Sequence, residues 1–226
     1  MVRKNLYRLL FYAIGLLILS LGVTLNSKAC LGVAPMISVS FSISEIFELS
    51  FGNVTMLWYD FFVLIEIILH VRLAHKKPIP LKWVLLFDLA QIPLSAVFSR
   101  FMNLYDALLP DFSTDGLGTH LAVLSAAIIC TGVGASMMLN MRLVPNPGDG
   151  IVQAISDTIG KDIGFSKNCF DFTCLLITIF ICFSLSKPIT GIGFGTLLAM
   201  VFTGRVMAIF NHFTQKPMQR LANVSG

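Results

Sequence analysis

Of the ionisable residues inside apolar runs, where a charge is expensive and is retained for a reason, Glu66 and Asp88 qualify best, with Arg205 as their candidate counter-charge. Neighbouring carboxylates disfavour each other's charge and an arginine favours it, so such a trio can load and release a proton. Glu66 lies six residues before Arg72 on a run descending to a basic loop. Asp88 lies six after Lys82 on the run that leaves that loop, so the two are expected at one depth. Arg205, about five residues from the inner end of the last apolar run, is expected beside them as the counter-charge. The same trio serves equally well as a structural ion pair pinning three helices.

A second candidate group is Val144-Pro145-Asn146-Pro147-Gly148-Asp149-Gly150. Proline lacks the N–H and glycine loses backbone entropy, so the preceding helix is expected to stop near Arg142. With Pro147 just before it, Asp149 is expected to N-cap a short helix through Ile151 to Ile159, stopped by Gly160. A helix N-terminus presents unpaired N–H groups and the positive end of a dipole, which suits an anion or the carboxylate of a zwitterion. Asn146 adds a donor and an acceptor. Asp149 adds a charge for a solute ammonium or a proton, or else is a plain cap. The same grammar stands about 112 residues earlier, where Asn26 to Pro35 precede a short run from Met36 to Leu49. Pro35, Asn146, Pro147, Gly148 and Asp149 are therefore the candidate substrate-binding residues.

More landmarks recur in order. Tyr59-Asp60-Phe61 is answered by Phe170-Asp171-Phe172, and Lys77-Pro78-Ile79 by Lys187-Pro188-Ile189, which argues for an internal repeat. The chain that carries them is 56% hydrophobic and 12% charged, with mean hydropathy +0.82. Soluble domains carry about 25% charged residues, so this is an integral membrane protein. Runs long enough to cross a core of about 30 Å fall at residues 6–25, 54–71, 81–101, 121–139, 169–185 and 192–210. The first is read as an anchor helix and not a cleaved signal peptide, because it lacks a small-x-small exit.

With a cytoplasmic N-terminus and six crossings, 13 of the 16 basic residues fall inside, Arg3, Lys4 and Arg8 among them. Only Lys28, Arg100 and Lys187 fall outside, so both termini are expected in the cytoplasm. Three spans per repeat then give the halves opposite orientation, the inverted arrangement common in secondary transporters. The expected organisation is all-α, with a first three-helix repeat at 1–102, an outer linker at 103–119 and a second repeat at 120–226. The short helix after each first span lies either flat in an interface, amphipathic, or re-entrant with its N-terminus near the midplane.

Other polar residues point elsewhere. His70 and His75 are expected to be solvated in a basic loop, and Asp60 and Asp171 to be interfacial. The five cysteines form no C-x-x-C or Cys/His cluster, and Met137, Met138 and Met141 read as core, so no metal or cofactor is expected. No Ser/His/Asp set or H-E-x-x-H occurs, which argues against an enzyme. The net charge of +4 follows topology and does not mark a nucleic-acid binder.

The elements Leu31-Gly32-Val33-Ala34-Pro35 before a short helix, Pro147-Gly148-Asp149, and Gly191-Ile192-Gly193-Phe194-Gly195-Thr196 resemble those of the YczE/YitT group of bacterial multi-pass membrane proteins. The first half departs from that pattern, with Met36-Ile37 where an Asp is expected. The resemblance implies a bacterial inner-membrane protein and supplies no substrate. The expected function is a small-solute permease or exporter for an anionic or zwitterionic solute, working by alternating access in the lipid bilayer. A passive channel and a non-transporting accessory protein are the alternatives, and a homo-oligomer or a partner membrane protein stays open.

Overall fold

A computed structural model describes residues 2–78 and 80–223, with side chains from Asn5 onward. Ile79 and the side chains of Arg3 and Lys4 lie outside the described residues. The chain forms α1 (Val2–Lys28), α2 (Pro35–Phe47), α3 (Phe51–Ala74), α4 (Leu81–Leu108), α5 (Leu117–Asn140), α6 (Pro147–Ile159), α7 (Ile163–Ser184) and α8 (Phe194–Ala222). Six of these, all but α2 and α6, are long and apolar enough to cross a membrane. The observed helices outrun the apolar runs by up to a dozen residues, because amphipathic ends such as Asn211 to Ala222 continue a helix after hydropathy fades.

Around the short helices, boundaries in the second half follow those of the first at a constant interval. Lys28 and Asn140, Pro35 and Pro147, Phe47 and Ile159, and Phe51 and Ile163 are each 112 positions apart. Left-handed backbone recurs at the same interval, at Cys30 and Arg142 and again at Glu48 and Gly160. So does the N-cap of the following helix, where Ser50 accepts from the Asn53 amide and Asp162 from the Phe165 amide. A left-handed residue two positions after a long helix, a thirteen-residue helix and a second left-handed stop thus occur twice.

Packing groups the helices differently from the sequence halves. The compact units are residues 1–34, 100–143 and 191–226, and residues 35–99 and 144–190. The linker at 103–119 bounds neither unit, because each one draws helices from both halves.

In the first unit α1 packs along α5, and α8 packs on both. The α1–α5 crossing is close because it is lined by glycine: a Cβ on Gly22 would lie 2.5 Å from the Thr131 nitrogen, and one on Gly134 2.4 Å from that of Leu19. Arg8 donates to the carbonyls of Met141 and Arg142 at 2.7 Å each, so a cation satisfies the open C-terminal end of α5. The loops before α2 and α8 clasp each other, with Val33 N–H donating to Gly191 and Gly195 N–H to Leu31. Gly32, at φ +96, permits this approach; a Cβ there would lie 2.4 Å from the Gly193 nitrogen.

In the second unit α2 packs on α3 and α7, and α6 likewise packs on α3 and α7. Each short helix thus touches the long helix that follows it and the corresponding long helix of the other half. The first part of α4 runs antiparallel beside α3, joined by Ser95 to Asp60, Gln91 to Glu66 and Asp88 to His70.

Candidate functional site

The N-terminal ends of the two short helices meet inside the second unit. A Cβ on Gly148 would fall 2.3 Å from the Met36 sulfur, so glycine here lets the first turns of α2 and α6 touch. Both turns begin with a proline at the first helical position, Pro35 and Pro147, where a missing N–H costs nothing. They rest against α3. The Trp58 indole N–H donates to the Met36 carbonyl at 3.0 Å, and the Asn146 side chain faces the Tyr59 hydroxyl.

The start of α6 differs from the expectation. Its N-cap is Asn146, whose carbonyl accepts from the amides of Asp149 and Gly150, and Asp149 lies within the first turn. The Asn-Pro pair decides this, since proline is better placed at the first helical position than before a cap. Asn146 makes no side-chain capping bond, and its Oδ1 is buried without a partner. An acceptor in that state is open to a ligand N–H.

The helix α2 is enclosed. Its serines at 38, 40, 42 and 44 are all buried and spent on protein groups. Ser38 lies 2.7 Å from the Thr178 hydroxyl, Ser40 accepts from Thr55, and Ser42 donates to the Thr190 carbonyl. Within α2 only Glu45 and Phe47 are exposed.

About two helical turns along α3 lies a second polar group. Glu66 and Gln91 are each 1% exposed, and the Gln91 amide donates to Glu66 Oε2 at 2.6 Å. Asp88 does not share the depth of Glu66. It sits roughly one turn further along α3, where His70 Nδ1 lies 2.8 Å from its Oδ2. His70 is therefore a half-buried partner and not a solvated loop residue, while His75 is exposed as expected. Arg205 is exposed and lies over the Phe202 ring at 5.7 Å, and the partner of Asp88 is His70.

Asp60 and Asp171, expected at interfaces, are both engaged by protein groups. Asp60 accepts from Ser95, and Asp171 is fully buried and paired with Lys167 at 2.9 Å.

The sequence reading missed Met36, Trp58, Tyr59, Gln91 and Gly150. A signal for Gln91 was present: Glu66 and His70 are four apart and Asp88 and Gln91 three apart, so each pair shares one helix face. Among the described residues no group of three or more His, Cys, Asp or Glu side chains could hold a metal ion.

A model of a family of unknown function, DUF6198, matches residues 6–212. The chain belongs to that family. Two relatives from Bacillus subtilis (strain 168) are each 26% identical to it. One is named as the uncharacterized membrane protein YczE, aligned over 92% of this chain and 86% of the relative; the other is the uncharacterized protein YyaS, aligned over 92% and 96%. No solved structure matches it. The matched residues of this DUF6198 member span both short helices and the polar pairs on α3 and α4.

Proposed function

We infer that the chain is a small-solute permease or exporter of the bacterial inner membrane, acting by alternating access of two inverted repeats with both termini cytoplasmic. The observation that carries this reading is the meeting of α2 and α6 at Met36 and Gly148 against Trp58 and Tyr59. Those residues lie seven and eight positions into α3, about 11–12 Å from its start at 1.5 Å per residue. Two first turns at that depth suit re-entrant helices, whose ends survive in a bilayer only when buried in protein or lining a wet cavity. A helix lying flat would turn one whole face to water, which α2 does not do.

The chemistry of the ends favours an anionic or zwitterionic solute. Two helix N-termini supply N–H groups and positive dipole ends for a carboxylate. Asn146 Oδ1 offers an acceptor and Asp149 a charge for an ammonium. The 112-residue interval in helix ends, caps and left-handed residues supports the repeat. No role as an enzyme is proposed.

The test places single cysteines at Pro35, Asn146 and Gly148 in a cysteine-free background and labels them from each side with a membrane-impermeant thiol reagent. Labelling from both sides is expected, together with saturable uptake of carboxylates or amino acids into liposomes. Labelling at each site from one face only would remove the re-entrant centre. Flux that never saturates would make the protein a channel, and labelling without flux an accessory protein.

A further inference from the structure

The pair Glu66 and Gln91 contains an unfilled bonding position. The Gln91 amide donates to Glu66 Oε2, yet Glu66 Oε1 and Gln91 Oε1 are buried with no partner. Both orphans are acceptors as a carboxylate and an amide stand. A Cβ on Gly150 would be 2.8 Å from Gln91 Oε1, Glu66 Oε1 and Glu66 Oε2 alike, so three oxygens converge on one glycine of α6. Two buried acceptors and a charge left without compensation are costly, because each has given up water and gained no partner. A single particle at this place removes the whole penalty.

We propose that Glu66 and Gln91 form a proton-binding acid–amide pair capped by Gly150, and that this pair is where a proton enters the transport cycle. In the loaded form Glu66 Oε1–H donates to Gln91 Oε1 while Gln91 Nε2–H donates to Glu66 Oε2, closing a ring in which both former orphans are used. Glu66 is the one ionisable ligand of this trio of oxygens, and among the described residues no group of three or more His, Cys, Asp or Glu side chains stands here to hold a metal ion, which favours a proton. On release, the proton leaves Oε1 to water and the carboxylate faces the Gln91 oxygen and the bare Cα of Gly150, which drives α6 off the pair.

The surrounding charges are accounted for. Along α3 and α4 the nearest are Asp88 and its partner His70. On α6 the nearest is Asp149, whose cationic neighbour is Lys167 of α7. Asp149 adjoins Gly150 in sequence, so the proton pair and the solute end of α6 share one helical turn. The proton site stands on side-chain geometry; its coupling to solute rests on the permease reading above.

The experiment is infrared difference spectroscopy of the full chain in phosphatidylcholine liposomes, titrated across neutral pH in sodium-free buffer and again with added sodium. The expected result is a protonated-carboxyl C=O band that is lost in Glu66→Gln and unchanged by sodium. In Gln91→Met the band should persist but move to higher wavenumber, since its hydrogen-bond acceptor is gone. This second variant keeps the test decisive if Glu66→Gln does not fold. A band insensitive to both variants, or one lost in Asp88→Asn instead, overturns the proposal, as does displacement of the band by sodium at fixed pH. None of these readouts needs solute flux, so a confirmed band with no flux defeats the permease reading alone.

Discussion

At the crossing of α2 with α7, Ser38 and Thr178 lie 2.7 Å apart, with the carbonyls of Pro35 and Cys174 in reach of their hydroxyls. At the crossing of α6 with α3, the positions 112 later and 112 earlier hold Gly150 and Glu66. The backbone contact is made twice, crosswise between the halves, and filled with opposite chemistry. Either hydroxyl of the first pair can donate without leaving the other bare, so that crossing is neutral and self-satisfied. The second holds an acid whose oxygen has nothing to bond in its charged form. A doubled scaffold can thus keep one crossing as a fixed joint and make its counterpart responsive to a proton.

The largest effect is expected from truncating the acid. Glu66→Ala strands Gln91 in a buried cavity and is expected to cost about 3 kcal/mol, read as an earlier thermal midpoint in detergent micelles. Glu66→Gln, which keeps the ring without the charge, is expected to stay within about 1 kcal/mol of the parent. If both variants melt equally early, the crossing does not hold a neutral ring.

Next in size is Gly150→Val, at about 2 kcal/mol, because its side chain must push the three oxygens apart in a packed interior. A parent-like melting curve for this variant would show that α6 does not press on the pair. At the other crossing, Ser38→Ala and Thr178→Val are expected to cost about 1 kcal/mol each. The double variant should cost less than the two together, since one hydrogen bond is lost only once. Full additivity there would deny that the hydroxyls form a joint. Smallest is Trp58→Phe, which removes the bond to the Met36 carbonyl for about 0.5–1 kcal/mol and should leave the Glu66 infrared band in place.

Hydropathy made the six long helices legible, and Pro35 and the Pro145 to Gly150 breakers made the short ones so. The interval of 112 was visible as well, because turn and cap residues are local signals. Which helices touch was not. Pairing of α2 with α7 and of α6 with α3 depends on how surfaces fit across more than a hundred residues, and apolar runs look alike on every side. That is why the compact units cut across the sequence halves, why Asp88 found His70, and why Arg205 stands exposed. The shift of the cap from Asp149 to Asn146 was within reach of sequence reasoning, since Asn-Pro is itself a helix start.

The clasp between Leu31–Val33 and Gly191–Gly195 sets an order on the birth of the protein. Its two sides, at Leu31 and Gly191, are separated by 160 residues of chain, so at about 5–20 residues per second the first waits on the order of 10–30 s for the second. Through that interval the Val33 amide and the Leu31 carbonyl must be held by water, lipid headgroups or the insertion machinery. A ribosome stalled before Gly191 therefore leaves a chain whose first breakpoint is still open.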